Sequence, residues 1–377
     1  MTVRNQLFHD RDLSLLSGDT LSEYALCYNT FGELNADKSN AILVFHALSG
    51  SHNLSGHDAE GPDGCDLWLE ENHAGWWNEL VGPGKAIDTD EYYVICFNYL
   101  GGCYGSTGPS SLNPATGQPY GSAFPRIQIR DQANVAHALL QHLGVEGLHA
   151  VIGPSVGGLC ALSFAYHFPA LAPRVGLFAS AMRTTVLTRL VLFEQILAIE
   201  NDQHFRGGDY YDGDLPWLGL ALARMISHKT FVHIDTFERR ARKDINQHED
   251  ILSWYKIQDP FQSYMLHQGK KFVQRFDPNS YLRIIDMWSR FNLTKEDNGE
   301  LKEDIFGRLK EHGQRFLVYS IDSDYCFYPE EQSELVAHLE NADLAVTHLT
   351  VHSDKGHDSF LLEPDLYSPQ LRHLLSS

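Results

Sequence analysis

Short apolar runs alternate with amphipathic stretches through the first half of the chain and again near its end. Residues 24–28, 41–45, 92–97, 148–152, 175–179, 315–321 and 347–351 are rich in aliphatic, β-branched and aromatic side chains. They are too short for buried helices, and their flanks are polar or glycine-rich, so they predict strands. Residues 131–143 carry Val135, Leu139, Leu140 and Leu143 at helical spacing. From about residue 185 to 299 the strand pattern stops. Aromatic, helix-forming sequence replaces it, clearest over 189–200 and 218–226. The pattern predicts an α/β core of residues 1–184 and 300–377 with a mostly parallel sheet, interrupted by a helical lid insertion over 185–299.

The run 148–152 leads into Gly153-Pro154-Ser155-Val156-Gly157, and an apolar helix start follows. Gly-x-Ser-x-Gly between strand and helix is a nucleophile elbow: the serine sits on a sharp turn with its hydroxyl lifted above the sheet edge. The chemistry then needs an acid and a histidine, in that chain order. Asp322 and Asp324 both follow the predicted strand 315–321, and His357 follows the strand 347–351. Strand ends on one sheet edge bring such groups together, so that His357 takes the proton from Ser155 while a carboxylate fixes the imidazole tautomer. Position alone leaves Asp322 and Asp324 both open as that carboxylate. An oxyanion needs two donors: the amide after the nucleophile, Val156, and one from the loop 46–50, assigned to Leu48. His46 in that loop reads as a supporting residue rather than a base.

Composition narrows the function classes. The 377 residues are 43% hydrophobic and 21% charged, as in ordinary globular proteins. A formal net charge of −20 argues against nucleic acid or an anionic membrane surface as a partner. Residues 1–6 hold no apolar signal core, and no run is long enough to span a bilayer. Six scattered cysteines form neither a zinc pattern nor a disulfide framework, which points to a cytoplasmic protein with reduced thiols and no metal. The basic run 239–243 reads as a solvated helix face, with a phosphate-binding patch as the alternative.

Several loops add a resemblance. His46-Ala47-Leu48-Ser49-Gly50, the segment 98–109 with Gly101-Gly102-Cys103-Tyr104-Gly105, Phe272-Val273-Gln274-Arg275-Phe276-Asp277-Pro278, and Gly356-His357-Asp358 are similar to those of the homoserine O-acetyltransferase family. The likeness spans nearly the whole chain. It implies an α/β-hydrolase fold, Ser155 as nucleophile, His357 as base, and Asp324 rather than Asp322 as acid. It also implies that Arg224 and Asp358 bind the amino-acid substrate. A guanidinium fork suits a carboxylate, and an Asp beside the catalytic His suits an ammonium. The implied reaction moves an acetyl group from acetyl-CoA, a co-substrate with no further cofactor, to L-homoserine in methionine synthesis, within a homodimer. Pro154 and Val156 depart from the family's usual Gly and Met at the elbow. Succinyl-CoA as donor and L-serine as acceptor therefore stay open, and a carboxylesterase is the rival class.

Overall fold

A computed structural model of the chain describes residues 4–241, 255, 257, 259–295 and 304–377. Eight strands form one sheet: β1 (Gln6–Ser14), β2 (Thr20–Phe31), β3 (Ala41–Val44), β4 (Tyr93–Phe97), β5 (Ala150–Pro154), β6 (Arg174–Phe178), β7 (Arg315–Ile321) and β8 (Ala345–Val351). Their spatial order is β1-β2-β4-β3-β5-β6-β7-β8. β1 pairs antiparallel to β2 and β2 antiparallel to β4, and all later neighbours run parallel. This is a mostly parallel α/β-hydrolase sheet.

The central strands are buried on both faces, which explains their unbroken apolar sequences. Along β3 and into the next residue, Ala41, Leu43 and Phe45 join one core while Ile42 and Val44 join the other, as the two-residue strand period requires. Helices α1 (Ile129–His142) and α2 (Val156–His167) contribute Leu139 and Leu159 to the first core, and Trp77 and Leu371 lie in the second.

Strand β1 has no counterpart in the sequence reading. Of its residues only Phe8 is buried, so this edge strand carries no apolar alternation to betray it. β2 likewise extends well beyond the predicted 24–28.

Between β6 and β7 the elements of the described residues are helical. They comprise α3 (Val186–Glu200), α4 (Trp217–Phe231), α5 (Ile234–Ala241), α6 (Pro260–Val273) and α7 (Pro278–Arg290), with short helical turns. Both α6 and α7 start at an Asp–Pro pair: Asp259 and Asp277 accept capping bonds from Phe261 N–H and Ser280 N–H, and proline fills the first helical position. The region leaves and rejoins the core through a narrow neck, where Thr184 N–H donates to Phe291 O and Leu293 N–H to Met182 O. The predicted 299–300 boundary, and Arg242 and Lys243 of the basic run, lie outside the described residues. Arg239 of that run is engaged by Asp354 and Thr236.

Candidate active site

Ser155 stands between β5 and α2 with φ 56° and ψ −129°, a conformation that side chains other than glycine's avoid. The surroundings hold it there. Its N–H donates to Phe178 O at 2.8 Å, and its carbonyl accepts from Ser180 Oγ at 2.8 Å. A Cβ on Gly153 would collide with the Gly157 backbone, and one on Gly157 with the Phe45 carbonyl at the end of β3. That close approach is why the elbow is bracketed by glycine. The Ser155 side chain lies in a cavity beneath the helical insertion, and the residue is only 4% exposed.

His357 comes from a single helical turn, Gly356–Asp358, after β8. Its Nε2 is 2.8 Å from Ser155 Oγ and its Nδ1 is 2.6 Å from Asp324 Oδ2. Phe327 stacks on the imidazole at 5.5 Å between centroids, and Phe231 of α4 flanks it at 5.9 Å. Asp324 is oriented in turn: its Oδ1 accepts from the Cys326 and Phe327 amides at 2.7 and 2.9 Å. Burial disfavours the imidazolium, but the nearby charge of Asp324, with Asp358 and Glu331 behind it, prevails and raises the His357 pKa above its ordinary value.

Of the two acids after β7, the structure brings Asp324 to His357. Asp322 instead accepts from Ser353 N–H and lies 2.7 Å from His352 Nδ1.

Leu48 occupies a tight turn closed by Gly50 N–H donating to Ala47 O at 3.0 Å. Val156 opens α2, where the first amides of a helix have no intrahelical acceptor. Both flank Ser155 in chain or in space, and Leu48 lines the same cavity. His46 is sealed beneath the turn: it stacks on Tyr99 at 3.8 Å, and burial pushes its pKa down to about 4. It stays neutral and braces the turn.

The cavity of about 250 Å³ brings Ser155 and His357 together with Arg224 and Asp358. Arg224 reaches in from α4 with its guanidinium carbon 4.8 Å from the Phe272 ring centre and 5.2 Å from that of Phe231. Its Nη1 is enclosed and has no hydrogen-bond partner. Burial first, and then the neighbouring Arg275, lower its pKa. A buried guanidinium with an unmet donor is costly unless an anion completes it.

Two charged lining residues, Glu71 and Arg275, received no role in the sequence reading. Glu71, in the short helix Glu70–His73, pairs with Arg275 at 2.7 Å and with Lys271 at 2.5 Å. Nothing in the sequence near Glu71 links it to a site on the far side of the chain.

A family model for the alpha/beta hydrolase fold matches residues 40–364. Homoserine O-acetyltransferase of Methanohalophilus mahii is 39% identical over 366 residues, covering 96% of this chain and 69% of that protein. Homoserine O-succinyltransferase of Alkalilimnicola ehrlichii is 38% identical over 373 residues, covering 98% of this chain and 93% of its own length. The chain belongs to the homoserine O-acyltransferase family. The crystal structure of homoserine O-acetyltransferase from Bacillus anthracis superposes with a TM-score of 0.89 at 24% identity, covering 100% of this chain and 98% of that one. Homoserine O-acetyltransferases and O-succinyltransferases thus match this chain at nearly equal identity.

Proposed function

We propose that this protein transfers an acetyl group from acetyl-CoA to the hydroxyl of L-homoserine, giving O-acetyl-L-homoserine for methionine synthesis. In the first half-reaction Ser155 Oγ attacks the thioester carbon as its proton passes to His357 Nε2. The C–S bond breaks, and the departing CoA thiolate takes that proton from the imidazolium. The amides of Leu48 and Val156 receive the oxyanion. In the second half-reaction His357 removes the proton of the homoserine hydroxyl, whose oxygen attacks the acetyl-serine. The Ser155–acyl bond then breaks, and the proton returns to Ser155 Oγ. Asp324 keeps the imidazole in the tautomer that both halves need. The sequence of steps calls for no metal and no resident cofactor.

The observation that carries the reading is the unmet Nη1 of Arg224, in one cavity with Asp358 and the Ser155–His357 pair. An amino-acid acceptor offers a carboxylate for the guanidinium and an ammonium for Asp358. An ester that lacks those charges gains nothing from them. The same cavity supports acetyl over succinyl. A succinyl group brings a second carboxylate, and the other guanidinium among the described lining residues, Arg275, already serves Glu71 and the Ser49 carbonyl.

The assay is CoA release with acetyl-CoA and succinyl-CoA crossed against homoserine and serine. Release that depends on homoserine and prefers acetyl-CoA is the expected result. Preference for succinyl-CoA or serine would move the chain to another branch of the family, and release indifferent to the acceptor would make it an esterase.

We further propose a cytosolic homodimer. The six cysteines are free, as in a reducing compartment. On α3, Val186, Leu190, Phe193 and Leu197 are exposed and follow the four-three-four spacing of a helix-pairing seam. Leu218 and Leu222 of the neighbouring α4 are also exposed. A second copy of this face is the occupant that its self-complementary apolar stripe suits.

A further inference from the structure

Arg275 sits in the connection between α6 and α7, at the inner edge of the insertion, with its side chain 16% exposed. Its Nε lies 2.7 Å from Glu71 Oε1, and its Nη1 donates to the Ser49 carbonyl oxygen at 3.1 Å. The guanidinium carbon is 5.1 Å from the centre of the Phe272 ring, which also underlies Arg224. Tyr104 OH donates to the Arg275 carbonyl at 2.5 Å, so the backbone here is fixed as well as the side chain.

Ser49 is the residue after Leu48, inside the turn that Gly50 N–H closes on Ala47 O. The turn is thus gripped from within at Ala47 and from the insertion at Ser49. So tight a turn moves as a unit, and fixing its Ser49 carbonyl fixes the direction of the Leu48 N–H. An oxyanion donor acts only when it is aimed in advance, because reorienting it during the reaction removes its advantage.

We propose that Arg275, oriented by Glu71, is a positioning residue for the oxyanion hole: it holds the Leu48 turn in register with Ser155 when the helical insertion is docked on the core. The inference rests on the acyl-serine reading above and is independent of which donor and acceptor are used. Glu71 keeps the guanidinium from swinging toward substrate carboxylates, and leaves that task to Arg224.

The test is acylation of the full chain by p-nitrophenyl acetate, which needs Ser155 and the oxyanion hole but carries neither CoA nor a carboxylate. Arg275→Lys keeps the charge but cannot reach Glu71 and Ser49 O together. Its maximal acylation rate should fall about 10- to 100-fold while KM stays within about twofold, the pattern of a misaimed transition-state donor. Affinity for a small alkylboronic acid, whose tetrahedral adduct with Ser155 presents an oxygen to the same hole, should fall in parallel. A folded Arg275→Lys protein that is acylated at the parental rate would overturn the proposal and make Arg275 a ligand of CoA or of the acceptor. Should that variant not fold, Glu71→Gln decides: a loss of about three- to tenfold in the acylation rate is expected, and no loss overturns it. If the parent protein itself gains no acetyl group on Ser155 by mass spectrometry, the acyl-serine reading fails first and takes this inference with it.

Discussion

Asp322 gives its carboxylate to His352, 2.7 Å away on the surface of the molecule, and takes no part in the buried pair two residues later. Asp324→Asn should therefore cost on the order of 10,000-fold in acyl transfer, because the amide supports the wrong imidazole tautomer. Asp322→Asn should change the rate by less than about twofold, as for other exposed pairs. Steady-state CoA release by both variants checks this. A larger loss in Asp322→Asn would displace the acid by two residues.

Ser155→Ala and His357→Ala should each lower transfer by several orders of magnitude, and the double variant should be little worse than either alone. Groups joined at 2.8 Å in one proton path fail as a unit. Multiplicative losses in the double variant would mean that the two act in separate steps.

Arg224→Lys separates the two half-reactions. A lysine supplies a point charge without the guanidinium fork, so kcat/KM for homoserine should fall about 10- to 100-fold. The first burst of CoA release should persist, since the acetyl donor offers no carboxylate at that position. Rapid-mixing kinetics report both. Equal loss of burst and turnover would put Arg224 in the donor site or the scaffold.

Glu331 links pH to stability. Burial first, and then the charge of Asp324, push its carboxyl up to about 7 from an ordinary 4.5. The folded chain then holds a proton that the unfolded chain has released. This raises fold stability at low pH, and the contribution is lost as pH climbs from 4.5 to 7. The shift corresponds to on the order of 3 kcal/mol. Glu331→Gln should thus be more stable than its parent at pH 8 and no more stable at pH 4.5, as measured by urea denaturation.

Phe193→Asp tests the assembly. A charge in the exposed α3 seam should convert a dimer into monomers in light scattering at micromolar concentration. A persisting dimer would put the interface on another face, and a monomeric parent would end the proposal.

How much of this was legible before the structure varies with the physical cause. The elbow was legible because close backbone approach at Gly153 and Gly157 forbids any side chain, leaving a fixed spacing around Ser155. The parallel strands were legible because burial on both faces demands unbroken apolar runs. β1 was not, since an edge strand with one buried residue needs no pattern. The choice between Asp322 and Asp324 turned on which carboxylate the Cys326 and Phe327 amides hold inward, a matter of local turn geometry. The hold of Arg275 on the Ser49 carbonyl joins groups 226 residues apart, and no local sequence encodes it.

The neck at Thr184–Phe291 and Met182–Leu293 has a consequence for acceptor choice. Ser155 stands at the sheet edge, whereas Arg224 belongs to the helical region that this neck joins to the core. If Arg224 grips the acceptor's carboxylate as proposed, the span from grip to nucleophile is a ruler for the acceptor's side chain, and serine is one methylene shorter than homoserine. How far the helices lean over the sheet sets that ruler. On that reading, substitutions at the neck are where the preferred acceptor length can be retuned while the acyl-serine chemistry stays the same.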